Sequence, residues 1–105
     1  MFTQQYTIEL VRAFAKELKD AGISLKKVYL YGSYAKNKQN ETSDIDVAIA
    51  ADEFTGFGFE DLKYFVDIHL KKNYYLIQPK TYPTDYFEKG DPFIEEIIKT
   101  GIKIV

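Results

Sequence analysis

The sequence predicts an α/β (α+β) domain in which helices pack against one mixed β-sheet. Three observations carry that expectation. Apolar residues at Ile8, Val11, Phe14, Ala15 and Leu18 recur at helical spacing. The stretches Lys26–Tyr31 and Asp44–Ala50 are short apolar runs rich in β-branched or aromatic residues. Helical and strand-like patterns then alternate along the chain, as they do when helices cover a sheet.

The first helix is expected over residues 3–20, with Gly22 placed to end it. Lys26–Tyr31 reads as a strand broken by Gly32-Ser33, and Ser33 is placed to cap a short helical turn through about Lys38. A polar loop over 37–43 leads into a strand over 44–50. Residues 52–59 set Gly56 and Gly58 among Phe54, Phe57 and Phe59: a lid, a docking patch or a plain connection, the last being the simplest. Leu62, Phe65, Val66, His69 and Leu70 predict a helix over 60–71. A third strand is expected over 74–80, closed by Pro79 and then Pro83, with Asp85 and Glu88 in the loop that follows. Asp91-Pro92 is a helix start, and Phe93, Ile94, Ile97 and Ile98 are its expected buried side. Gly101 ends that helix, and 102–105 reads as a last short strand.

At 105 residues the chain is expected to form a single domain, 1–105, around one core. Its net charge of −2 gives no strong nucleic-acid signal, although Lys26, Lys27, Lys36 and Lys38 could form a local basic patch. With no cysteine, disulfides and cysteine-ligated metals are excluded. No secretion signal opens the chain and no apolar run is long enough for a membrane span, so the expected setting is the cytoplasm, with no membrane partner. Nine Tyr and eight Phe are more rings than a small core needs, so a partner surface is plausible beside simple core filling.

The informative stretch is Gly32-Ser33, ten residues, then Asp44-Ile45-Asp46. On a strand, positions two apart share a face, so Asp44 and Asp46 aim together while Ile45, Val47 and Ile49 enter the core. Two close carboxylates repel, and a divalent cation relieves the repulsion. An all-oxygen donor set suits Mg²⁺, which also takes substrate phosphates. A glycine turn after a strand lets backbone approach a ligand closely, and serine with free N–H groups cradles phosphate oxygens. Together the halves suit phosphoryl or nucleotidyl transfer. Asp-x-Asp alone is a weak signal; the Gly-Ser turn at this spacing makes it specific.

This pattern resembles the signature of the DNA polymerase β-like nucleotidyltransferase superfamily, above all its minimal members, the MNT antitoxins paired with HEPN toxins. The apolar strand before Gly32, Ala35, Ser43 before the first aspartate, and the closing Asp91-Pro92-Phe93-Ile94-Glu95-Glu96-Ile97 with Thr100-Gly101-Ile102 match as well. The resemblance implies a minimal nucleotidyltransferase fold and transfer of AMP from Mg-ATP to a hydroxyl, chiefly tyrosine, of a helical HEPN-type partner. Gly32, Ser33, Tyr34, Lys36 and Ser43 would hold the nucleotide, and Asp44 and Asp46 would be the metal-binding catalytic pair. Where the family often has glycine four residues after the serine, this chain has Asn37, which tolerates left-handed backbone.

The larger departure is the third carboxylate of active members, on a neighbouring strand. Its expected position holds Gln78, whose amide cannot act as a carboxylate base. Asp67, Asp85 and Glu88 are the acids that could replace it. A catalytically degenerate nucleotide- or partner-binding module is therefore the competing expectation, with a small-molecule transferase behind it. Homo-oligomerisation is left open. His69, the one histidine, reads as packed rather than catalytic. Tyr74-Tyr75 could stack on adenine but more simply fill a core.

Overall fold

The computed structural model describes residues 1–105. Helix α1 (Gln4–Asp20) starts at Thr3, whose side chain accepts the Tyr6 N–H, one of the donors a helix leaves open. It stops in a Schellman turn: Gly22, with φ of 95°, donates to Lys19 O at 3.0 Å, and Ile23 donates to Leu18 O at 3.2 Å. Strands β1 (Leu25–Tyr31), β2 (Ile45–Ala51), β3 (Ile77–Pro83) and β4 (Ile102–Lys103) form one sheet in the order β3-β2-β1-β4. The β1–β2 and β1–β4 pairs are antiparallel and β2–β3 is parallel, so the sheet is mixed, as the sequence predicts.

The two faces of the sheet carry separate cores. On one, Val28, Leu30, Ile45, Val47, Ile49 and Ile77 meet Val11, Phe14 and Leu18 of α1 and the buried rings Phe54, Phe65 and Tyr74. On the other, a smaller cluster sets Tyr29, Ala48, Ala50 and Tyr82 under Phe87, Ile94 and Ile97. Those last three come from helices α4 (Thr84–Lys89) and α5 (Pro92–Thr100). Alternation along β2 produces this division, because each successive residue changes face.

Several predicted elements differ in the structure. The helix expected over 60–71 is three pieces: α2 (Gly58–Asp61), a 3₁₀ turn over Leu62–Tyr64, and α3 (Val66–His69). Phe65, at φ −143° and ψ 18°, leaves the helical path to bury its ring in the main core. Tyr74–Leu76 is a 3₁₀ turn, so the third strand starts later and runs through both prolines to Pro83. An edge strand tolerates proline, because its outward N–H groups need no ladder partner. Residues 84–89, expected as loop, form α4. Asp91 caps α5 through the Ile94 N–H at 2.7 Å, as predicted, but only Ile94 and Ile97 are buried; Phe93 and Ile98 are about half exposed. The last strand is shorter than expected, at Ile102–Lys103.

The basic patch does not form. Lys26 is the second residue of β1, beside Asp52 at 3.7 Å, whereas Lys36 and Lys38 lie beyond the strand's other end. No helix is long and apolar enough to cross a membrane.

Candidate active site

Gly32 is the hinge of the site. It leaves β1 at φ +76°, a left-handed conformation that favours glycine, and a Cβ there would lie 2.5 Å from Asp46 Oδ2. Position 32 is thus glycine both for the turn and because the Asp46 carboxylate occupies the side-chain space. This one contact joins the two halves of the sequence pattern.

After Gly32 the chain makes turns rather than the short Ser33-capped helix that the sequence predicts. Lys36 N–H donates to Gly32 O at 3.2 Å and Lys38 N–H to Ser33 O at 2.9 Å. No backbone hydrogen bond engages the N–H groups of Ser33, Tyr34 or Ala35, which leaves them free for anionic oxygens. Asn37 takes the left-handed conformation expected of it, with φ 55°. The Lys36 side chain is exposed at the turn.

Tyr34 is held by the core as well as by the turn. Only 3% of it is exposed, its ring belongs to the main core, and its hydroxyl accepts the Phe2 N–H at 3.3 Å. Gln4 Nε2 adds hydrogen bonds to Tyr34 O and Ala35 O at 3.0 and 3.1 Å. Tyr34 therefore anchors the turn from the core, and it lines a cleft with Ser43, Asp44 and Gln78. Ser43 is also committed internally: its hydroxyl accepts the Asn40 N–H at 2.9 Å and organises the loop before the aspartates.

Asp44 lies one residue ahead of β2 and Asp46 lies within it. Asp46 pairs with Tyr31 on β1 and with Gln78 on β3, so Tyr31, Asp46 and Gln78 form one row across the sheet. Burial, then the charge of Asp44, raises the Asp46 pKa above the usual carboxylate value. Burial, then the charge of Asp46, pushes the Tyr31 phenol up to about 12. Asp44 and Gln78 also line a cleft of about 280 Å³ with Ser43 and Glu41.

The structure keeps Asp67, Asp85 and Glu88, the acids expected to stand in for a third carboxylate, away from Asp46. Asp85 and Glu88 group with Asp52 and Thr84 at the far end of β2, about 20 Å of strand from Asp46. Asp67 is on α3, which packs with α1 on the opposite face of the sheet. Nowhere do three His, Cys, Asp or Glu side chains gather as a metal cluster. The site's oxygen donors are the two aspartates with the Gln78 amide beside them, a set that suits a hard divalent cation sharing its shell with water and phosphate. His69 is packed as expected: Nε2 lies 2.9 Å from Ile77 O, and the ring sits among Phe14 and Phe65.

Two contributions escape the sequence reading. Tyr31 joins the row only through the β1–β2 register, which no sequence spacing encodes. Asp61 is fully buried: burial alone would raise its pKa, yet hydrogen bonds from Thr81, Thr55 and Gly56 hold it below the usual range. It ties α2 and the 55–57 loop to β3, on which Gln78 lies.

Comparisons with known proteins identify the family. A family model described as "Nucleotidyltransferase domain" matches residues 11–104, and the chain belongs to that family. A Methanocaldococcus jannaschii protein, provisionally named a protein adenylyltransferase, is 36% identical over 76% of this chain and 64% of its own length. Two more proteins of that organism, similarly named, are each 44% identical over shorter stretches: 39% of this chain and 46% of the relative, and 43% and 44%. The chain thus spans less than two thirds of these relatives. The crystal structure of a provisionally assigned nucleotidyltransferase from Sulfolobus solfataricus superposes with a TM-score of 0.64 over 95% of this chain and 80% of that one, at 19% identity, and shares the fold.

Proposed function

We propose that the protein transfers AMP from ATP to a hydroxyl, chiefly a tyrosine, of a partner protein. The observation that carries the proposal is the row Asp46–Gln78 with Gly32 pressed against Asp46, because it puts a phosphate-accepting turn beside a carboxylate pair. The free N–H groups of the 33–35 turn bind the β- and γ-phosphate oxygens, and Lys36 adds positive charge. Asp44 and Asp46 would hold Mg²⁺, which when bound neutralises charge on the phosphates and on the pair itself. The acceptor oxygen attacks the α-phosphorus as the bond to the bridging oxygen breaks, and pyrophosphate leaves on the Gly32–Ser33 side. The acceptor's proton passes to solvent, since Gln78 offers no carboxylate to take it.

The relatives' provisional names support a protein acceptor. On the resemblance to MNT antitoxins, the partner we propose is a HEPN-type toxin silenced by the modification, in the cytoplasm where ATP is supplied. A second reading has a specific observation behind it. Gln78 stands in register with Asp46 where a carboxylate would assist the incoming hydroxyl. Such assistance is typically worth about 10²–10⁴-fold, so the chain would bind nucleotide and partner with little turnover.

The test uses ATP labelled at the α-phosphate, Mg²⁺ and the partner that co-purifies on co-expression. Label on the partner from wild type and none from Asp46→Asn is the result expected. Label only from Gln78→Glu would establish the binding reading. No label from either, with the complex intact, would overturn transfer.

A further inference from the structure

A groove of about 630 Å³ opens on the same face of the sheet as Asp46, and the transfer chemistry above uses none of its lining residues. Tyr31, Lys80, Tyr82, Tyr86, Asp91 and Phe93 line it, with the 55–57 loop at its rim. Its walls are aromatic: Tyr82 and Tyr86 stack at 6.1 Å with 6° between their planes, and Phe93 meets Tyr31 edge-on at 5.7 Å.

One feature of this groove asks for a ligand. Tyr82 is 6% exposed, and its hydroxyl is buried with no hydrogen-bond partner. Buried hydroxyls are normally paired, and an orphan in a cavity wall points to something that enters the cavity. Asp91 provides acceptors nearby. Its oxygens each take one hydrogen bond, from Ile94 N–H and from the Tyr86 hydroxyl, both at 2.7 Å, and each keeps capacity for another. Lys80 pairs with no carboxylate and lies 5.7 Å from the centres of both the Tyr82 and Phe93 rings.

The order of these groups along β3 identifies the occupant. Gln78, Lys80 and Tyr82 alternate onto the face that carries Asp46, opposite Asp46, Ala48 and Ala50 of β2. Moving along the strand, the groups are the Gln78 amide in register with Asp46, the unpaired Lys80 ammonium and an aromatic slot with an orphan hydroxyl. A nucleotide presents the complementary series of phosphate, linking sugar and flat heteroaromatic base.

We propose that this groove is a nucleobase site for an aminopurine, with the ring against Tyr86 and Phe93, the Tyr82 hydroxyl bonded to a ring nitrogen and the exocyclic amine donating to Asp91. The proposal rests on the nucleotidyl-transfer reading for the phosphate end and adds the selectivity that reading lacks. A phenolic acceptor would use the aromatic walls but would leave the Lys80 position between base and metal site without a role.

The test is AMP binding to the full chain by calorimetry without metal, which separates base recognition from transfer. Wild type should bind AMP saturably. Tyr82→Phe should weaken binding about fivefold, as loss of a net hydrogen bond does, while leaving the melting temperature equal or higher because the orphan group is gone. Phe93→Ala, at a half-exposed position, should weaken it about tenfold. IMP, without the amine, should bind about fivefold more weakly than AMP. Absence of saturable AMP binding, or equal affinity in Tyr82→Phe and Phe93→Ala, overturns the base site; equal affinity for IMP overturns the Asp91 contact. Asp46-dependent transfer with both variants unaffected would sink the groove alone. Tyr82-dependent AMP binding with no labelled acceptor would sink the transfer reading alone.

Discussion

Gly32 and Asp46 share one small volume, and that sharing predicts what substitution at each does. Gly32→Ala forces a side chain into left-handed backbone and onto a carboxylate oxygen. Backbone strain of that kind costs about 1–3 kcal/mol, and relief by moving Asp46 would disturb the pair of aspartates proposed to hold Mg²⁺. We expect a lower melting temperature together with loss of the Asp46-dependent label, both read on the same preparation. Asp46→Asn should do the reverse for stability. Its carboxylate is held at a raised pKa, so the folded state binds its proton more tightly than the unfolded chain, and ionisation works against the fold. Asp46's contribution is therefore favourable below the unfolded value and is lost as pH rises through the folded one. At neutral pH without metal, Asp46→Asn should melt no lower than wild type, so its loss of transfer would not be a loss of fold. Thermal melts at pH 7 check this. The Gly-Ser and Asp-x-Asp residues were legible in the sequence because they sit on one local strand–turn–strand path. The sequence shows the place of Tyr34 beside the turn but not that its ring is buried in the core.

Elements with local signals were legible, and those set by tertiary packing were not. The Thr3 cap and the Asp91-Pro92 start are written in adjacent residues. By contrast, nothing in Leu62, Phe65, Val66 and His69 reveals that Phe65 breaks the helix to reach Phe14 and Phe54. Proline arithmetic failed for β3 because only the sheet order makes it an edge. That edge is held from beneath by Asp61, which accepts from Thr55 N–H and Oγ1, Gly56 N–H and the Thr81 hydroxyl at 2.6–3.0 Å. Asp61→Asn replaces an acceptor oxygen with a donor that faces donors. We expect a loss of about 1–3 kcal/mol at pH 7, measured by chemical denaturation. The pH dependence follows from a folded pKa below the unfolded value of about 3.9. The stability Asp61 supplies is present above that value and is lost as pH falls through the folded one. The gap between wild type and Asp61→Asn should therefore hold at pH 7 and close in acid below about pH 4.

At the scale of the molecule, the two cores have unequal duties. The cluster under α1 contains 18 buried residues and the one under α4 and α5 contains 7. The larger makes the domain; the smaller holds the helices that wall the groove. The row of Tyr31, Asp46 and Gln78 lies on the smaller side, so the candidate site is built on the less deeply supported face. Low-stability elements open locally before the whole fold does. Ile94 is fully buried at the centre of the small core, and Ile94→Ala should cost about 2–5 kcal/mol. Leu18, fully buried in the large core, should cost a similar amount on change to Ala. The two should nevertheless differ in kind. Hydrogen exchange in Ile94→Ala should show lost protection in residues 84–100 while α1, β1 and β2 keep theirs, and AMP affinity should fall at temperatures where the sheet is intact. In Leu18→Ala protection should drop across the chain together, with AMP affinity unchanged until global unfolding. Equal, chain-wide loss of protection in both variants would mean that the two faces form one cooperative unit and that the groove has no independent opening.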